Sequence, residues 1–77
     1  MSARRLHVIE VTTFPAATPA GVVTRLTRHP RILAVDVIDA NTRTAVVEVA
    51  MWADTATDAV LDMVRAIPGV ATVMAVA

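Results

Sequence analysis

The sequence predicts an α+β fold, a ferredoxin-like βαββαβ sandwich with a four-stranded antiparallel sheet and two helices on one face. Three observations predict it. First, Arg43–Trp52 echoes Arg5–Phe14 at an offset of 38 residues, half of this 77-residue chain. The same offset matches Val22 with Val60, Val23 with Leu61, Leu26 with Val64, Pro30 with Pro68, Ile32 with Val70 and Val35 with Val73. Second, each half reads as strand, helix, strand, the unit from which a split-βαβ sheet is built. Third, the echo pair alternates with period two, and one parity is uniformly apolar. Residues 1–77 are therefore expected to form one domain with halves at about 1–38 and 39–77. The two echo strands should lie side by side at the sheet centre.

The elements are taken in chain order. Leu6–Thr13 is rich in β-branched residues and ends at Phe14-Pro15, which makes it the first strand. Thr18 before Pro19 has the pattern of an N-cap followed by proline at the first helical position. Val22, Val23 and Leu26 recur at helical spacing until His29-Pro30 stops the helix. Arg28 and His29 suit the negative end of its dipole. Ile32–Asp39 reads as the second strand, and Ala40-Asn41-Thr42 as a hairpin turn without glycine. Arg43–Trp52 is the third strand. Asp54 or Thr55 is expected to cap a second helix carrying Val60, Leu61, Val64 and Ile67. Pro68-Gly69 ends that helix, with the glycine suited to a left-handed conformation. Val70–Ala77 is the last strand.

Alternation assigns the faces. Ile9, Val11, Ala45, Val47, Val49 and Met51 belong under the helices. Val8, Glu10, Thr12, Phe14, Val46, Glu48, Ala50 and Trp52 belong to the open face, and Val35, Val37, Val73 and Ala75 are expected to join them. The result is a largely apolar face with Glu10 and Glu48 near its centre, too large a patch for a monomer to leave bare. Val8, Glu10, Phe14, Val46, Glu48 and Trp52 are the candidate interface, taken up by a second copy or by a larger protein. Arg25 and Arg28 on the first helix are expected to face Asp58 and Asp62 on the second.

The bulk composition narrows the function. A domain this small is marginal alone and gains from a partner or a second copy. There is no cysteine, which rules out disulfides and thiolate metal sites and fits a reducing cytoplasm. The chain is 56% apolar, with mean hydropathy +0.62. Its longest uncharged runs, Val11–Thr24 and Ala66–Ala77, are interrupted by proline and fall short of the roughly 18 residues a spanning helix needs. The opening Met-Ser-Ala-Arg-Arg resembles the start of a signal peptide, but His7, Glu10 and Pro15 interrupt the apolar stretch that such a peptide requires. Seven arginines balance seven acids, so net charge gives no case for nucleic acid.

The candidate chemistry is sparse. Glu10 and Glu48 would sit close together on adjacent central strands, as in an acid/base pair, a cation site or ion pairs across an interface. His7 and His29 are far apart in this fold and lack a third ligand, so no metal site is expected. Phe14 and Trp52 occupy equivalent repeat positions and suit aromatic anchors of an interface. The single serine, Ser2, stands at the terminus. No nucleophile with its base, no glycine-rich phosphate loop and no helix-turn-helix is present, so neither a catalytic residue nor a cofactor is expected.

From Val22 onward the chain resembles the ligand-sensing domain of the Lrp/AsnC transcription regulators. The residues are Val22-Val23-Thr-Arg-Leu26-Thr-Arg-His-Pro30-Arg-Ile32, Val46-Val-Glu-Val49 and Val60-Leu-Asp-Met-Val64-Arg-Ala-Ile-Pro68-Gly69-Val70. ACT domains share the pattern, and Pro19-Ala-Gly21-Val22-Val23 is similar to their first-helix start. The resemblance implies a non-catalytic regulatory module, dimers as the unit, and sensing of an amino acid or other small metabolite. It implies ligand contacts at Thr18 and Gly21, at the first helix start, and at Asp39 and Asn41, in the turn. That turn lacks the glycine usual in these families. The chain is also similar to the NapD chaperones of the same fold, which bind a twin-arginine signal peptide on the sheet. Cofactor-free monooxygenases share the fold too, but need a polar pocket where this chain offers apolar residues.

Overall fold

The computed structural model describes residues 3–76; Met1, Ser2 and Ala77, and the readings placed on them, lie outside it. The order is β1 (Arg4–Thr13), α1 (Pro19–Thr27), β2 (Ala34–Ala40), β3 (Thr44–Trp52), α2 (Thr57–Arg65) and β4 (Val70–Ala75). The strands form one antiparallel sheet in the order β2-β3-β1-β4. This is the ferredoxin-like fold, with the echo strands β1 and β3 at its centre. The two helices stand 38 residues apart at both ends, so the internal repeat survives as a structural one.

Each helix start shows how local chemistry sets a boundary. Thr18 is extended, and its Oγ accepts a hydrogen bond from the Gly21 N–H at 3.1 Å, with Pro19 at the first helical position. The second helix departs from expectation: its N-cap is Ala56, which offers no side-chain acceptor. Asp54 and Thr55 are spent on the preceding turn, where the Thr55 N–H donates to the Trp52 carbonyl at 3.0 Å. After α1, His29 Nδ1 accepts from the Arg31 N–H at 3.1 Å, so this ring holds the turn rather than capping the helix carbonyls. After α2, Gly69 takes φ +97°, the left-handed region that glycine tolerates.

The core lies between helices and sheet. Ile9, Val11, Ala45, Val47, Val49 and Met51 from the central strands pack with Val22 and Leu26 of α1 and Val60 and Val64 of α2. All six strand residues sit under the helices, as alternation requires. The edge strands do not follow expectation. Val35 is paired with Val49, Val37 with Val47, Val73 with Val11 and Ala75 with Ile9. Residues directly opposite share a face, so these four lie on the helix side and not on the open face. The expected pairing of Arg25 and Arg28 with Asp58 and Asp62 is also absent. Among the described residues the one salt bridge runs within α2, from Arg65 to Asp62 at 2.9 Å. No helix of the described residues is long and apolar enough to cross a membrane.

Candidate functional site

Strand register builds the open face row by row. One row runs Ala34, Ala50, Leu6; the next runs Asp36, Glu48, Val8, Val76. A third runs Asp39, Val46, Glu10, Met74, and a fourth is threonine throughout: Thr44, Thr12, Thr72. Two neighbouring rows therefore carry four carboxylates, set among Val8, Val46, Met74 and Val76. Arg4 and Trp52 stand opposite each other at one end of the central pair.

Glu10 and Glu48 come together as expected, on diagonal positions of adjacent strands, about 7–8 Å apart. Asp36 stands directly opposite Glu48, an arrangement of like charges that costs stability. None of the four acids has a cationic side chain within salt-bridge distance among the described residues. Around them the large apolar side chains Leu6, Trp52, Met74 and Val76 are 57%, 47%, 58% and 49% exposed. The face is therefore both acidic and apolar, where alternation along the central strands predicts a mostly apolar one. The signal for Asp36 was present: Val35-Asp36-Val37 alternates, and two inward valines turn the aspartate outward.

Phe14 does not join this site. It lies beyond the end of β1, with its N–H on the Gly69 carbonyl at 3.0 Å, whereas Trp52 stands opposite Arg4 at the start of β1. Antiparallel pairing thus sends the two aromatics to opposite ends of the sheet, roughly 30 Å apart for a strand of this length. The echo in the sequence gives them equivalent positions, not neighbouring ones.

The second candidate site is a cleft of about 650 Å³ between the start of α1 and the β2–β3 turn, lined by Thr18, Pro19, Val23, Val37, Asn41 and Ala45 among others. It unites Thr18 and Asn41. Gly21 instead lines a smaller hollow with Thr24, Arg25 and Arg28, and Asp39 belongs to the open face beside Val46. Thr18 and Asn41 both have structural duties. Asn41 Oδ1 accepts from the N–H groups of Arg43 and Thr44 at 3.0 and 2.9 Å, which lets asparagine close the turn without glycine. What they leave for a ligand is the Thr18 hydroxyl hydrogen and the Asn41 amide, above an apolar floor.

His7 points into the core from β1 and is 4% exposed. Its Nε2 finds no hydrogen-bond partner. Burial, and then the nearby Arg5 charge, push its pKa below the ordinary 6.5. Among the described residues no three His, Cys, Asp or Glu side chains are grouped to hold a metal ion.

No protein-family model, curated protein or solved structure matches this chain.

Proposed function

We propose that this chain is a non-catalytic regulatory or assembly module that receives a segment of a larger protein on the open face of its sheet. The single observation that carries this is the pair of rows in which Asp36, Glu48, Asp39 and Glu10 stand among half-buried Val8 and Val46 and exposed Met74 and Val76. Such a face suits a segment that interleaves apolar side chains with arginine or lysine. Charged pairs would supply specificity and apolar contacts most of the affinity. A peptide of the kind that chaperones of this fold bind has that chemistry. A second copy stacked face to face would bring acids against acids, which is why the occupant is a different chain.

Trp52, the chain's single tryptophan, lies on this face and reports its occupancy. A synthetic peptide alternating leucine and arginine is expected to change Trp52 fluorescence saturably, and one alternating leucine and glutamate is not. High salt should weaken the effect. Glu10→Gln with Glu48→Gln should weaken it roughly tenfold or more, about 1.4 kcal/mol or above. Binding that ignores both salt and the double substitution would overturn the proposal.

A second reading rests on the cleft, because the structure brings Thr18 and Asn41 together on one apolar hollow. An amino acid or similar metabolite bound there would raise the melting temperature in proportion to its occupancy. Asn41→Ala should remove that shift while leaving peptide binding on the open face intact.

A further inference from the structure

The sheet has two edges, and they are built differently. At one edge, β2 carries Asp36 and Asp39, and its register on β3 slips between Val37 and Asp39, leaving Ile38 as an extra residue. Charges and a bulge are how edge strands avoid pairing with other chains. The opposite edge lacks the charges, and its bulge, which leaves Ala71 as an extra residue, is confined to one end. From Val70 to Val76 it reads Val-Ala-Thr-Val-Met-Ala-Val, without charge and without proline. Its one irregularity lies against Thr12 and Thr13, at the far end from Val76.

The backbone of this edge is set up for pairing. The Val76 N–H donates to the Val8 carbonyl at 2.8 Å. In an antiparallel ladder the direction alternates, so Met74 also turns its N–H and carbonyl toward β1, while Val73 and Ala75 turn theirs away from the sheet. The segment is also nearly its own mirror about Val73. Laid antiparallel on a second copy with Val73 against Val73, it places Thr72 opposite Met74, and beyond the bulge at Ala71 it brings Val70 beside Ala75, both on the helix side. Every facing pair is uncharged. The central pair is of the kind in which two residues exchange both N–H···O bonds. The same operation on β2 would bring the aspartates of two copies together, so charge selects between the edges.

We infer that β4 is a self-pairing edge, along which two copies join antiparallel around Val73 into one eight-stranded sheet. A two-fold axis perpendicular to the sheet puts all four helices on one side. Both acidic open faces then lie side by side on the other. This pairing uses main-chain groups at the edge and does not depend on what the open face binds.

Concentration-dependent sedimentation, combined with amide hydrogen exchange, tests it on the unaltered protein. The expected result is a monomer–dimer equilibrium in the micromolar to millimolar range, with the Val73 and Ala75 amides exchanging severalfold more slowly as the dimer fills. A monomer at every concentration would overturn the inference. So would a dimer whose Val73 and Ala75 amides exchange at the dilute rate. Ala75→Pro removes an outward donor that the isolated fold does not use, and edge strands tolerate proline there. It should give a monomer with an unchanged circular dichroism spectrum; a folded Ala75→Pro dimer would contradict the edge. Should that variant fail to fold, the exchange measurement still decides. Glu10→Gln with Glu48→Gln leaves the edge untouched and should dimerise as the unaltered chain does. Failure of the edge and failure of open-face docking therefore give different results.

Discussion

Single residues carry two of the tightest constraints in this molecule. Gly69 has φ +97°, and a Cβ built on it would lie 2.7 Å from the Ala17 Cβ. Its carbonyl also accepts the Phe14 N–H, so the loop before α1 and the turn before β4 are held against each other. Gly69→Ala should therefore cost about 1–3 kcal/mol from backbone strain and the close approach together. Urea unfolding measures this; a loss below about 0.5 kcal/mol, typical of a surface change, would contradict it. His7 is the second constraint. Because its folded-state pKa is lowered, both states are neutral well above 6.5 and the full stability is present there. As the pH falls through 6.5 toward the lowered folded value, the unfolded chain takes up the proton first and stability drops. The melting temperature should fall as the pH is lowered through about 6.5, and His7→Leu should flatten that slope. An unchanged slope in the variant would place the titrating group elsewhere. His7 was legible in the sequence only as a poor metal ligand. Its burial follows from sharing a parity with Ile9 and Val11, a step that alternation already allowed.

At the scale of elements, the two helices are copies with unequal starts. α1 has a threonine cap and a following proline, and both could be read directly from Thr18-Pro19. α2 begins at Thr57 behind Ala56, because the chain leaving β3 turns at once and uses Thr55 to close that turn. Two polar residues before a helix do not say which of them the turn will take. Thr18→Ala should cost about 1 kcal/mol, and Ala56→Asp should gain a comparable or smaller amount, both read by chemical denaturation. If Ala56→Asp destabilises, the α2 start is held by its neighbours and not by capping. The strands divide in the same way. β1 and β3 were legible because apolar residues dominate one parity at their centres, Ile9 and Val11 in β1 and Ala45, Val47, Val49 and Met51 in β3. β2 and β4 were not, because β2 carries an aspartate on each parity, β4 is largely apolar on both, and in each a bulge shifts the count by one residue.

For the whole molecule, the fold was readable because repeat, caps and alternation all agree, and the open face was only half readable. Glu10 and Glu48 were placed correctly by the central strands alone, and Leu6 and Asp36 were within reach of alternation, whereas Asp39 and Met74 needed the register of the edges. On the proposed reading, the added acids change the kind of partner the face would take, from any apolar surface to a cationic one. The strand order has a consequence of another kind. β1 pairs with β3 and β4, and β2 pairs with β3, so every ladder in the sheet joins one half of the chain to the other. Neither half contains a single strand pair of its own. A peptide covering either repeat should thus be unstructured alone, and the two mixed should fold together with a rate that depends on concentration. In the intact chain the turn at Asn41 supplies that concentration, so what is an internal repeat in the sequence acts, in folding, as an association between two molecules that happen to be tethered.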